Sequence, residues 1–317
     1  MSAPNDSWKN ALEHIWGQYK LWASTSRALK SKLSQWRRIV LTLGLAGGIV
    51  GVLSSQTSIP WDSLWPPLPK ALGVASAVLL GLAAYFSKEI LNPDSEGRWI
   101  RARSAAEAFK REAYLLQARV PPYDAEVIPL TRVEDIRKAV EGVGYERLTA
   151  EQKREGMPSA QLSVADYIRE RVDDQIESFY EPKAEENKAV VRKISIITKA
   201  LGALAVLLGL LGYLWAGLPA FVAVITTVTA ALAAYLYAGR YQHLVVSYQA
   251  TAQKLAGLRA AWLVSGKKEE DTADRNKFIL ACEEVFATEN GAWMAEWSKP
   301  SSPPSPPAKA VQAGGGQ

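Results

Sequence analysis

From Ala200 to Gly239 no residue carries a charge. One bilayer crossing takes about 20 largely apolar residues, so this run is long enough for two. Gly217, Leu218 and Pro219 fall near its middle, and Gly beside Pro is a strong turn signal. The run therefore reads as a tight helical hairpin, with span three at about Ile196 to Trp215 and span four at about Leu218 to Tyr237. A first hairpin is predicted upstream. Ile39 to Trp61 is uncharged, with its apolar part at Ile39 to Leu53, and Ala71 to Ser87 follows as span two. The overall hydrophobic content of 48% is ordinary for a soluble protein only because the apolar residues are clumped. Four buried core helices of a soluble protein account poorly for runs of this length.

The flanks agree. Trp61, Trp65, Tyr213 and Trp215 stand at the hairpin turns, and Tyr85, Phe86, Tyr235 and Tyr237 at the opposite ends, as amphipathic rings collect at both headgroup layers. Lys199, in the first turn of span three, reads as a lysine snorkelling to the interface more readily than as an intramembrane functional group. Lys20, Arg27, Lys30, Lys32, Arg37 and Arg38 precede span one; Lys88, Arg98, Arg101 and Arg103 follow span two; Lys188, Arg192 and Lys193 precede span three; Arg240 follows span four. The first turn holds only Asp62 and Lys70, and the second holds no charge. By the positive-inside rule both termini and the central segment are expected in the cytoplasm, with the chain multi-pass in the plasma membrane. A long charged segment precedes span one and no A-x-A-like site follows it, so no cleaved signal peptide is expected.

The formal net charge of +5 is too mild to select a partner. The single cysteine, Cys282, forms no intrachain disulfide and suits a reducing compartment.

The soluble parts read as helices. Trp8, Leu12, Ile15, Tyr19 and Trp22, continued by Leu29, Leu33 and Trp36, recur in steps of four and three, with Ser26 in the one gap. That is a 3.5-residue seam of coiled-coil type. It is expected to hold subunits or modules together, with a helix lying in the headgroup layer as the rival reading. Asn5, Asp6 or Ser7 is the expected cap. Ser163 with Asp166 resembles a capping box, and Val164, Ile168, Val172, Ile176 and Phe179 form a stripe behind it. Thr131 with Glu134 and Thr149 with Gln152 mark short helices in the irregular zone from Pro121 to Ala160. Further helices are expected over Leu244 to Trp262 and Phe278 to Trp297. The Pro, Ser and Gly-rich tail from Lys299 is predicted to be disordered.

The fold class is thus all-α: four transmembrane helices as two tandem two-span hairpins with long amphipathic cytoplasmic helices. The expected parts are a first two-span module over 1–125, a connecting segment over 126–160, a second two-span module over 161–298 and the tail over 299–317. The two modules share one plan and orientation, as parallel repeats do. Gln18 and Gln175 hold similar places, and Gly44 and Gly51 have counterparts in Gly202 and Gly209.

The first half resembles the SLATT domains, two-span modules associated with SMODS nucleotidyltransferases and SLOG nucleotide-sensing domains. The resemblance is carried by Trp16-Gly17-Gln18-Tyr19, Ser26-Arg27, Leu29-Lys30, Leu33 and Trp36-Arg37 before a Gly-rich span. Beyond span two it continues through Arg101 to Ala108 and Arg119-Val120-Pro121-Pro122-Tyr123. The second half resembles a sister subtype through Tyr167, Arg171 to Ile176, Lys183-Ala184, Glu283-Glu284 and Glu289 to Trp293. Where that subtype has a tyrosine followed by basic residues, this chain has Tyr180-Glu181-Pro182-Lys183-Ala184, and Pro182 is expected to kink or end the helix. The resemblance implies a pore-forming effector of a bacterial nucleotide-linked defence or conflict system, without transferable catalytic residues. A homo-oligomer in membrane lipid is expected. A nucleotide-signal sensor, if there is one, would be a separate protein, such as a sensor or synthase, or an unrecognised surface of this chain. No nucleic-acid partner is expected.

Nothing suggests an enzyme. There is no G-x-S-x-G elbow, Walker A loop or H-E-x-x-H, and His14, His243 and Cys282 make no familiar zinc set; no cofactor is expected. The carboxylates read as solubilising surface charges. Gly44 with Gly48 and Gly47 with Gly51 are GxxxG pairs, and Gly73, Ala77 and Gly81 repeat the spacing in span two. These faces read first as tight packing within the hairpin and second as subunit contacts. Ala223, Thr226 and Ala230 share one face of span four with Ala233. They are the candidate pore lining, although the hydroxyls can also bond back to their own helix. The competing function is a non-conducting scaffold that recruits cytoplasmic partners.

Overall fold

The computed structural model describes residues 4–55, 67–125, 127–149, 156, 161–214, 218–266 and 269–299. Among the described residues every regular element is helical. We number them α1 (Pro4–Ser54), α2 (Leu68–Ile90), α3 (Pro93–Gln117), α4 (Thr131–Ala139), α5 (Val164–Leu211), α6 (Leu218–Ala238), α7 (Tyr241–Val264) and α8 (Thr272–Trp297). Four helices are long and apolar enough to cross a membrane. The spans are the C-terminal part of α1, α2, the C-terminal part of α5, and α6, so the all-α, four-span reading holds. Trp61, Trp65, Trp215, Gly217, Gln152 and the tail beyond Lys299 lie outside the described residues.

Local chemistry sets most helix ends. Asn92 caps α3, its side chain accepting from the Ser95 N–H at 2.8 Å, with Pro93 in the first turn. Ser163 caps α5 as the box predicts, accepting from the Asp166 N–H at 3.0 Å. Two expected caps are wrong. The residue before α4 is Leu130, with no side-chain bond, and Thr131 already lies inside the helix. Helix α1 begins at Pro4, so Asn5, Asp6 and Ser7 are in its first turn or just beyond it.

Helix α3 ends in a Schellman motif with Arg119 left-handed at φ 49°: Val120 N–H donates to Leu115 O and Arg119 N–H to Leu116 O, both at 3.1 Å. A second left-handed residue, Arg240 at φ 51°, separates α6 from α7. Such a conformation costs about 1 kcal/mol or more for a non-glycine residue. Here the buried Arg240 guanidinium is held by Glu296 at 2.8 Å and lies over the Trp297 ring. Its neighbour must be glycine, because a Cβ on Gly239 would overlap the Tyr241 ring.

Pro182 neither ends nor interrupts α5, contrary to expectation. Two π-helical segments, Ile168–Asp173 and Gln175–Tyr180, come immediately before it. A proline ring clashes with the carbonyl four residues back, and the wider turn shifts the bonding register to i→i+5 there. The rod then runs on into span three.

The spans form an open row. Span one packs on span two and on span four, and span four on span three, leaving spans two and three at the edges. Their outer surfaces present Val74, Val78, Leu204, Val206, Leu207 and Leu210, as lipid-facing helices do. Beyond the spans, the first part of α1, α3, the first part of α5, α7 and α8 pack into one bundle with a continuous apolar core. The seam lies in that core. Leu12 and Ile15 are fully buried, Trp8, Trp22 and Leu33 nearly so, and Tyr19 partly. Its partner is α3 of the same chain: Trp16 meets Tyr114 edge to face and Lys110 lies over Tyr19. The seam thus joins the two ends of one module.

Candidate functional site

The residues singled out for conduction or packing are not in one place. Ala223, Thr226 and Ala230, with Ala233, lie on an exposed face of α6, turned away from buried Ile225. Thr226 donates to Val222 O and Thr227 to Ala223 O, both at 2.9 Å. These hydroxyls are therefore satisfied by their own helix, while the face they lie on is exposed among the described residues.

The glycines divide because residues four apart share a helix face and adjacent residues do not. A Cβ on Gly47 would come 2.8 Å from Leu80 of span two, and one on Gly51 2.7 Å from the Ser76 hydroxyl. Ser76 Oγ also donates to Gly47 O at 2.7 Å, a buried interhelical bond inside the hairpin. Gly48 instead faces span four, where Thr227 Cγ2 would stand 3.1 Å from its Cβ. Gly44 meets nothing. In span two, Ala77 and Gly81 are exposed, and Gly73 only approaches Ser54 at 3.9 Å. Within the chain Gly47 and Gly51 thus face span two, Gly48 faces span four, and Gly81 and Ala77 are exposed.

The most concentrated chemistry lies in the bundle, where the expectation that carboxylates are surface charges fails. Glu283 is fully buried and Glu112 and Glu289 nearly so. Arg171, 1% exposed, makes a two-pronged pair with Glu283: Nε to Oε1 at 2.9 Å and Nη2 to Oε2 at 3.1 Å. Tyr167 donates its hydroxyl to the same Oε1 at 2.9 Å. The guanidinium stands 4.8 Å from the Tyr114 ring centre and 4.0 Å from that of Phe286, a desolvated cation–π arrangement. Tyr114 belongs to α3, so this cluster joins the first module to α5 and α8 of the second.

A second layer lies along the same interface. Arg103 of α3 sits 3.9 Å over the Trp293 ring and 3.7 Å from Glu289. Glu289 Oε1 accepts no hydrogen bond among the described residues. Burial, opposed by Arg103 and reinforced by Glu107, pushes its carboxyl up to about 7. Burial, with Arg171 adding to it, likewise pulls Lys110 down to about 8. Trp99 of α3 packs edge to face against Trp293 and Trp297.

The sequence held a signal for these groups. Glu283 falls four residues after Ile279 and three before Phe286, and Glu289 three after Phe286 and four before Trp293. Charges at those steps lie on the apolar stripe of α8. Cys282 beside them is fully buried, and burial pushes its thiol up to about 12, so it is a packing group and a poor nucleophile. Among the described residues no three His, Cys, Asp or Glu side chains gather to hold a metal ion.

The cluster and the match to known families coincide. Residues 167–293, from Tyr167 to Trp293, match the family model described as SMODS and SLOG-associating 2TM effector domain 1. Residues 22–127, covering the first hairpin and α3, match a model described as a protein of unknown function (DUF4231). No curated protein and no solved structure matches the chain.

Proposed function

Because residues 167–293 of this chain match the SLATT two-transmembrane effector domain, we propose that it is an oligomeric pore or channel-like effector that permeabilises the cell membrane in a nucleotide-linked bacterial defence system. The domain match carries this reading. The arrangement of the spans adds a constraint: an open row encloses no lumen, so a water path would form between subunits. The exposed face of Ala223, Thr226 and Ala230 is the preferred wall, since small and hydroxyl-bearing residues leave room for water where Leu would not. The path stays closed at rest, because an open one would harm its host, and the opening signal comes from a separate nucleotide sensor or synthase.

The test is ion flux and single-channel recording of the full chain in liposomes. Thr226→Leu is expected to lower conductance at unchanged oligomer mass, and Gly48→Leu to disturb assembly first. Intact oligomers that pass no ions under any nucleotide, voltage or partner condition would leave the scaffold reading. The α1 seam is occupied inside the chain, so both readings must take their contact surfaces from elsewhere.

Both termini are proposed to be cytoplasmic. A cysteine replacing the exposed Tyr213 should react with an impermeant thiol reagent outside intact cells, and one replacing the exposed Lys138 should not. The reverse pattern overturns the orientation, and buried Cys282 gives no background.

A further inference from the structure

Between the two modules, where the spans enter the bundle, lies a cavity of about 490 Å³. Its position follows from its walls. It is bordered by the residues that open span one, close span two and close span four, which places it at the headgroup layer of one leaflet. The wall has two chemistries. Towards the spans it is apolar, with the small Gly44, Ala231 and Ala234 beside Val40, Leu41 and Leu45. Towards the bundle it carries three cations, Lys30, Arg37 and Arg103.

The protein balances these cations only in part. Arg37 pairs with Glu96 and Arg103 with Glu289. Lys30 has no hydrogen bond or ion pair among the described residues. It borders the cavity, where burial and the nearby Arg103 and Lys183, opposed by Glu186, pull its pKa down to about 8, so it is cationic at neutral pH. Glu289, pushed up to about 7, neutralises Arg103 only in part. The site thus has a net positive side and an apolar side in one 490 Å³ space, a size that suits a small-molecule headgroup.

We propose that this cavity holds an acidic phospholipid, its phosphate against Lys30, Arg37 and Arg103 and one acyl chain along Gly44, Ala231 and Ala234. A soluble phosphate compound would use the cationic wall and leave the apolar wall without a purpose. A zwitterionic lipid would bring its own cation towards Lys30. Basic pockets between spans on the cytoplasmic side suit anionic headgroups for the same reason. Since the walls come from both modules, the lipid bridges them. The proposal rests on the membrane placement of the spans and is independent of conduction.

The experiment is native mass spectrometry and thermal unfolding of the full chain in detergent. It is supplied with dioleoyl phosphatidylglycerol, dioleoyl phosphatidylcholine or inorganic phosphate. Phosphatidylglycerol is expected to be retained on the order of tenfold more than phosphatidylcholine, the size of one charge-assisted contact, and inorganic phosphate should not raise the unfolding temperature. Lys30→Gln and the cavity-filling Ala234→Trp should each lower phosphatidylglycerol retention about tenfold, with phosphatidylcholine binding and oligomer mass unchanged. Should Lys30→Gln misfold, Ala234→Trp carries the test. Equal retention of the two lipids, or full retention by folded Ala234→Trp, overturns the proposal. Stabilisation by inorganic phosphate equal to that by lipid also overturns it, by making the site one for soluble anions.

Discussion

Helix α1 contains two regions that obey different packing rules. In its first part Leu12 and Ile15 are fully buried, and in its spanning part from residue 39 onward only Gly47 is. Helix α5 divides the same way: Tyr167, Arg171 and Val172 are buried near its start, while Leu204, Val206 and Leu207 are exposed in its span. In water, burying apolar surface drives the helices together, and a charge buried among them must find an exact partner. In lipid the solvent is as apolar as leucine, so association rests on small-residue contact and interhelical hydrogen bonds. The relative placement of the two modules is therefore specified chiefly in the bundle, where α3 meets the second module at Tyr114–Arg171, Arg103–Trp293 and Trp99–Trp293, and only lightly between the spans, at Gly48 and Thr227.

The strongest way to break this comparison is to remove one side of a buried pair. Arg171→Ala leaves Glu283 without a counter-charge and should cost about 3–5 kcal/mol. The midpoint of chemical unfolding should drop accordingly while the spans stay in the membrane fraction. A loss under 1 kcal/mol would mean that the buried pair does not hold α5 to α8 in the bundle.

Next in size is a pH effect at Glu289. Its folded pKa lies near 7 against an ordinary 4.5, so the fold favours the neutral form. That contribution is complete below about pH 4.5 and is lost as pH rises through about 7. At pH 8, Glu289→Gln should be more stable than wild type by up to about 3 kcal/mol, and at pH 4 the two should coincide. Parallel stability curves from pH 4 to 8 would exclude an uncharged Glu289.

Changes inside the first hairpin sharpen the other half of the comparison. Gly51→Leu forces a side chain into the space of Ser76 and should cost about 1–3 kcal/mol by overpacking. Cross-linking between spans one and two should fall while the near-ultraviolet signal of the bundle aromatics persists. Ser76→Ala removes only the bond to Gly47 O and should cost about 0.6 kcal/mol, read from the same cross-linking yield.

Much of the fold was legible because lipid imposes a coarse and one-dimensional rule. Uncharged runs of the right length, turns marked by Gly and Pro, and 3.5-residue seams all act along the chain. The Ser163 box and the stripe Val164, Ile168, Val172 and Ile176 were read from such periods and stand in the structure. The break at Pro182 was misread because π-helical turns leave no clear mark in composition. The partner of the seam was also illegible, since a coiled-coil period fits equally a second subunit, a second module or a helix of the same module.

The sequence by itself determined that this chain is helical, that it has four spans in two hairpins, and which residues are apolar enough to be buried. Those properties depend on local spacing and on the solvent each segment meets. Only the tertiary structure decided which faces meet. It turned Gly47 and Gly51 to span two and Gly48 to span four, left Ala223, Thr226 and Ala230 outside, and drew Glu283 and Glu289 into the core opposite Arg171 and Arg103. The reason is that a carboxylate on a helix face reads the same whether water or an arginine opposite it supplies the compensation, and the arginine comes from more than a hundred residues away.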